Sequence, residues 1–155
     1  MNFQQSPDQA MLRKSVAGTF ARDGGAGITA ALADLGVFGL LVGSENGGSA
    51  LGLAEAVIVL QEAGRAGAGG SLAETLLMAD PICRAMPHRI DEVVAGRAAV
   101  VAPNSGTLRR AGGRLRGTLN LAPPTQGDLV AAPIGGGTRV ALLPVTHLEP
   151  TGRVR

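Results

Sequence analysis

Four arginines, Arg109, Arg110, Arg114 and Arg116, crowd around the pair Gly112-Gly113. Guanidinium groups present planar donor forks that match phosphate and carboxylate oxygens. Two glycines between alternating runs are a hairpin signal. The cluster therefore reads as a phosphate-binding patch or as solvated strand faces, the second being the plainer reading. His88 and His147 stand alone, with no further histidine or carboxylate at ligand spacing, so no metal ligands are assigned. Asp91 and Glu92 are neighbours, and adjacent helical residues point about 100° apart, so they do not form one acid-base pair. Ser105 sits in Asn104-Ser105-Gly106 and not in a G-x-S-x-G elbow. Cys83, beside Ile82, reads as an inert buried thiol. Gly25-x-Gly27-x-x-Ala30 fits a loose dinucleotide fingerprint but follows a helix instead of a strand. Lys14 is the only lysine, so a Walker phosphate loop is excluded. No catalytic residue is assigned.

The elements that position these residues change character along the 155-residue chain. Residues 1–97 carry seven basic and ten acidic side chains, net −3, and residues 98–155 carry seven basic and two acidic, net +5. The chain is 45% hydrophobic and 17% charged, too apolar for wholesale disorder. With no Trp, no Tyr and three Phe, a core must be filled by Ala, Leu and Val, and base-stacking recognition of nucleic acid is poorly supported. A single cysteine excludes an internal disulfide framework. No apolar run approaches the ~20 residues that span a bilayer, and the N-terminus lacks a leader pattern, so a cytoplasmic protein with no membrane partner is expected.

Up to about Gly96 the apolar residues follow helical spacing. Ser6 and Gln9 form a capping-box pattern with Pro7 at the first helical position, and Leu12, Val16 and Phe20 repeat on one face before Gly24-Gly25. A second helix is expected over 28–35, with Ile28, Leu32 and Leu35 inward. Val37 to Val42 forms an apolar connection. A third helix spans 53–66, with Val57, Leu60 and Gly64 on one side. A fourth spans 71–79 and breaks at Asp80, because Pro81 biases its predecessor away from helix. A last short helix covers 89–95. Beyond it, five short alternating runs at 98–102, 107–110, 114–121, 129–132 and 139–143 read as strands, separated by turns at 103–106, 112–113, 123–127 and 135–137. The expectation is an α+β chain, with a helical bundle over 1–97 followed by an incomplete antiparallel β-barrel-like domain over 98–155.

Several words of this sequence resemble the acyl-CoA dehydrogenase family. The opening helix, Ser6-Pro7-Asp8-Gln9-Ala10-Met11-Leu12-Arg13-Lys14-Ser15-Val16, is similar to the family's S-x-E-Q-x-x-L-R-x-x-V. Leu32 to Val42 resembles L-A-x-L-G-x-x-G-L-x-V, Ser44-Glu45-Asn46-Gly47-Gly48 resembles P-E-E-Y-G-G, and Glu62-Ala63-Gly64-Arg65 resembles E-E-L-G-R. Gly113 to Thr118 and Asp128-Leu129-Val130 resemble strands of the family's middle domain.

The resemblance implies FAD-dependent dehydrogenation of an acyl-CoA thioester, in which a carboxylate removes the α-proton and a hydride leaves the β-carbon. It places that carboxylate in a C-terminal helical bundle that residues 1–155 do not include. The family's flavin-contacting T-E-x-x-A-G-S-D falls at Pro103-Asn104-Ser105-Gly106, and its W-I-T-N at Leu121-Ala122-Pro123-Pro124. Both differ, so cofactor-binding residues are left unassigned. Three roles remain open: a partial acyl-CoA dehydrogenase inactive alone, a non-catalytic partner subunit of a complete one, and a small-ligand or partner-binding module. Self-association or an acyl-CoA dehydrogenase-like partner chain is expected, because apolar faces at Val37 to Val42 and around Leu129 would lack cover.

Overall fold

The computed structural model describes residues 4–23, 27–68, 70–121, 128–135 and 139–148. The expected helix stop at Gly24-Gly25, the fingerprint glycine Gly25, the turn at 123–127 and most of the turn at 135–137 lie outside them. The chain divides into two compact units, Met1–Arg97 and Ala98–Arg155.

The first unit holds α1 (Pro7–Arg22), α2 (Ile28–Asp34), α3 (Leu53–Arg65), α4 (Leu72–Ala85) and α5 (Ile90–Val94). Helix α1 starts as its sequence dictates: Gln9 donates its backbone N–H to Ser6 Oγ, and Ser6 N–H reaches back to Gln9 Oε1, both at 3.1 Å. Val16, Leu32, Phe38, Val59 and Leu76 form the buried core, with Leu12, Phe20 and Leu60 packed against it. Small and branched aliphatics fill this space around Phe38, the one fully enclosed aromatic among the described residues.

Four local expectations change. Helix α2 ends one residue early, and Leu35 is exposed, not inward, because Gly36 at φ +78° turns the chain immediately behind it. On α3, Val57 and Gly64 are exposed, not inward, while Leu60 packs against the core beside the buried Ala56, Val59 and Ala63. Helix α4 runs through Pro81 to Ala85. Proline forfeits one hydrogen bond to the carbonyl four residues back, and complete burial of Ala79 and Ile82 on either side holds the helix across that gap. The segment Val37 to Val42 does not lack cover. Val37, Phe38, Leu40 and Val42 are buried, because a 3-10 turn at Val37–Gly39 packs under α4 and the following strap folds back on itself. Ser49, Ala50 and Leu51 donate backbone N–H groups to Gly39, Val42 and Leu40. Gly48 is obligatory in that strap, since a Cβ there would lie 2.1 Å from the Val42 carbonyl oxygen.

The second unit is a five-stranded sheet of β1 (Val100–Val101), β2 (Ser105–Ala111), β3 (Arg114–Asn120), β4 (Leu129–Ile134) and β5 (Arg139–Pro144). Strands β2 and β3 form the antiparallel hairpin expected around Gly112-Gly113, and β4 and β5 form a second antiparallel pair. Strand β4 also pairs in parallel with β1 and, at Ile134 with Leu108, with β2. Leu129 and Val130 are fully buried, which corrects the expectation that this strand is uncovered: β4 sits between neighbours. Gly117 lets the hairpin close, because a Cβ there would fall 2.2 Å from the Thr107 carbonyl oxygen.

Candidate functional site

The helical unit carries an open cleft of about 540 Å³ whose polar lining comes from three separate segments. Asp34 ends α2. Asn46 and Gly47 belong to a 3-10 turn at Ser44–Asn46, with Gly47 at φ +79°. Asp91 and Val94 lie on α5, and Arg97 follows it. Gly96 brings the end of α5 against α2, since a Cβ there would sit 3.1 Å from Ala33 Cβ. Arg97 donates to the Asp91 carbonyl oxygen at 3.4 Å, a long contact that leaves the Asp91 carboxylate to the solvent. The cleft can accept hydrogen bonds through Asp34, Asp91 and the Asn46 carbonyl, and Arg97 offers one cationic fork. Ala50 is the one non-glycine described residue at positive φ, +52°.

Of the residues singled out by sequence, Asp91 reaches this cleft, while Glu92 turns away to pair with Arg89 at 2.7 Å. Glu45 is exposed and accepts from Asn46 Nδ2 at 3.2 Å. His88 and His147 are exposed and lie in different units, and Cys83 is a free, buried thiol on α4. No group of three His, Cys, Asp or Glu among the described residues is arranged to hold a metal.

Two charged arrangements escaped the sequence reading. Glu62, 7% exposed on α3, pairs with both Arg13 of α1 and Arg65 of its own helix, and Arg13 also donates to Gln61 at 2.8 Å. The second is Glu74, whose Oε2 is buried with no hydrogen-bond partner among the described residues. Ser71 and Glu74 have capping-box spacing, but the Ser71 side chain makes no cap bond.

In the sheet unit, Ser105 is exposed and pairs with Asn120 at the start of the hairpin. The same segment tests the fit to a flavin. Pro103 has no N–H, and the Asn104 N–H is spent on the Asn120 carbonyl at 2.8 Å. Thr107 Oγ1 donates to the Pro133 carbonyl at 3.2 Å. No aromatic residue exists anywhere in 98–155 to stack on an isoalloxazine. The described residues of this unit do not fit that group; Ala122, Pro123 and Pro124 lie outside the described residues.

The family model of the acyl-CoA dehydrogenase N-terminal domain matches residues 14–88. No curated protein matches the chain. Among solved structures, a variant of the Tcur3481-Tcur3483 steroid acyl-CoA dehydrogenase is similar at 20% identity and TM-score 0.68, covering 89% of this chain and 48% of its own. The ChsE4-ChsE5 complex from Mycobacterium tuberculosis is similar at 16% identity and TM-score 0.62, covering 94% of this chain and 49% of its own. The chain therefore spans about half the length of the solved chains it matches. Over residues 14–88 the chain is thus similar to the acyl-CoA dehydrogenase N-terminal domain, and its α+β fold is that of the solved acyl-CoA dehydrogenase chains it matches.

Proposed function

We propose that this chain serves in an acyl-CoA dehydrogenase assembly, as a part that supplies the N-terminal helical domain and a β-unit, with an acyl-CoA dehydrogenase-like companion chain completing the site. The reaction of such an assembly is α,β-dehydrogenation of an acyl-CoA thioester. The observation that carries this reading is the match of residues 14–88 to the N-terminal domain model. The pairing of two different chains in the ChsE4-ChsE5 complex supports a companion. General-base catalysis needs a carboxylate within hydrogen-bond reach of the α-proton, and the family resemblance assigns that group to sequence beyond these residues.

A second reading, the non-catalytic partner subunit, is favoured by the flavin misfit of the 103–107 segment: contact with FAD then falls to the companion. The test is an absorbance spectrum and an electron-acceptor assay on the purified chain, alone and mixed with an acyl-CoA dehydrogenase-like chain encoded beside it. Steroid side-chain thioesters join straight-chain acyl-CoAs in the assay because one similar structure is a steroid enzyme. Background rates alone, with turnover and a yellow chromophore in the mixture, support the proposal. Flavin-dependent turnover by the isolated chain overturns the need for a companion, and no turnover or complex with any such chain overturns the assembly.

A further inference from the structure

The β2–β3 hairpin carries a charged face that no described residue neutralises. Register sets Arg109 directly opposite Arg116, and Ala111 opposite Arg114. Side chains alternate across a strand. Arg109, Arg114 and Arg116 therefore share one face with Thr107 and Thr118, while Leu108, Leu115 and Leu119 serve the apolar cluster of the sheet. All three arginines are exposed, and none makes an ion pair or side-chain hydrogen bond among the described residues. Like charges directly opposite on a sheet are destabilising, and Arg114 stands only about 7 Å diagonally from Arg109. Asp128, the described acid of this unit, is 6% exposed and accepts the Ala99 N–H at 3.0 Å.

We propose that this face docks an acidic segment of a partner protein. Its bare charge is the argument for an anionic occupant: each guanidinium offers a two-pronged donor fork, and an anion laid across Arg109 and Arg116 converts their repulsion into two attractions. The shape decides the kind of anion. A two-stranded face is flat, whereas a small phosphate ligand takes a concave site that surrounds it. Carboxylates spaced along an extended or helical segment meet three forks spread over two strands. A single-stranded nucleic acid would gain no stacking, because the unit has no aromatic residue. The inference goes beyond the dehydrogenase reading and stands whichever protein supplies the acidic segment.

The experiment is fluorescence anisotropy with a labelled poly-glutamate peptide, with coenzyme A and a single-stranded oligonucleotide as competing probes. The variant combines Arg109→Gln, Arg114→Gln and Arg116→Gln; a charge-matched control combines Arg22→Gln, Arg84→Gln and Arg139→Gln. Expected are peptide binding that weakens about tenfold in the hairpin variant, changes less than about twofold in the control, and falls with added salt. Arg116→Gln alone should weaken binding while raising the midpoint of thermal unfolding, a readout that survives if the triple variant does not fold. Equal loss in both combined variants would show general charge attraction and overturn the proposal. Coenzyme A or oligonucleotide binding this face more tightly than the peptide would overturn it as well.

Discussion

Gln9 and Glu55 tie two helix starts together: the Gln9 side-chain amide of α1 donates to Glu55 Oε1 of α3 at 2.8 Å. Each partner is already engaged in its own cap. Gln9 Oε1 accepts the Ser6 N–H, and Glu55 Oε2 accepts the Gly52 N–H at 3.0 Å. Two local capping devices thus become one chain of hydrogen bonds that sets α1 and α3 side by side. Replacing Glu55 by Ala should cost about 1 kcal/mol, the typical worth of a cap. The Gln9→Ala and Glu55→Ala effects should be non-additive in a double-mutant cycle read by urea denaturation. Full additivity would show that the bridge contributes nothing.

The same contact sets an acid dependence. The hydrogen bond from Gln9, then the bond from the Glu55 backbone, lowers the Glu55 pKa; burial opposes them, and the Gly52 N–H adds the smallest lowering. A carboxylate with a depressed folded pKa adds stability above its unfolded pKa, about 4.3, and loses it as pH falls through the folded value. Wild-type protein should therefore lose stability below about pH 4.3 more steeply than Glu55→Gln. Parallel curves for the two proteins in acid would refute this.

Glu62 is a buried carboxylate held by two arginines, so removing its charge leaves Arg13 and Arg65 facing each other without a counterion. Glu62→Gln should destabilise the helical unit by about 2 kcal/mol, below the roughly 3–5 kcal/mol of a fully buried broken pair because Arg65 is largely solvated. Arg65→Gln should cost well under 1 kcal/mol, as an exposed partner does. Chemical denaturation of both variants checks the order; a larger effect at Arg65 would contradict the burial argument.

Gly117→Ala drives a methyl group into the Thr107 carbonyl across the hairpin. A loss of about 2 kcal/mol or more is expected, in the range of strained backbone and overpacked sites. Hydrogen exchange should show the loss at β2 and β3 amides and leave α3 and α4 protection unchanged.

Pro81→Ala restores a backbone donor within α4 and should stabilise the helical unit by about 1 kcal/mol, less than the full cost of an interior proline because the surrounding packing already holds the helix. A lowered thermal midpoint would show that Pro81 fits its position better than any residue with an N–H.

What could be read from the sequence was local. Ser6 and Gln9 are three residues apart, and their reciprocal bonds form as the pattern requires. The Gly112-Gly113 hairpin and the α+β order are equally local, written in the periods of the apolar residues. Gln9 with Glu55 and Arg13 with Glu62 are separated by 46 and 49 positions, and no spacing rule marks such partners before the helices are packed. Pro81 misled for the opposite reason, because a local rule about backbone geometry was overridden by the burial of Ala79 and Ile82. The side of α3 that carries Val57 has the same apolar spacing as its buried side, so the period alone could not choose between them. The cleft of Asp34, Asn46, Asp91 and Arg97 has no compact motif, since three turns bring its members together.

Cys83 gives this molecule a built-in clock for the opening of one helix. It is the chain's single thiol, 7% exposed on α4, with the fully buried Ile82 beside it. A buried thiol reacts with an alkylating reagent only when its surroundings part. The rate of modification under native conditions therefore counts openings of the helical unit that uncover this face of α4, while the sheet unit, which has no cysteine, carries no label of its own.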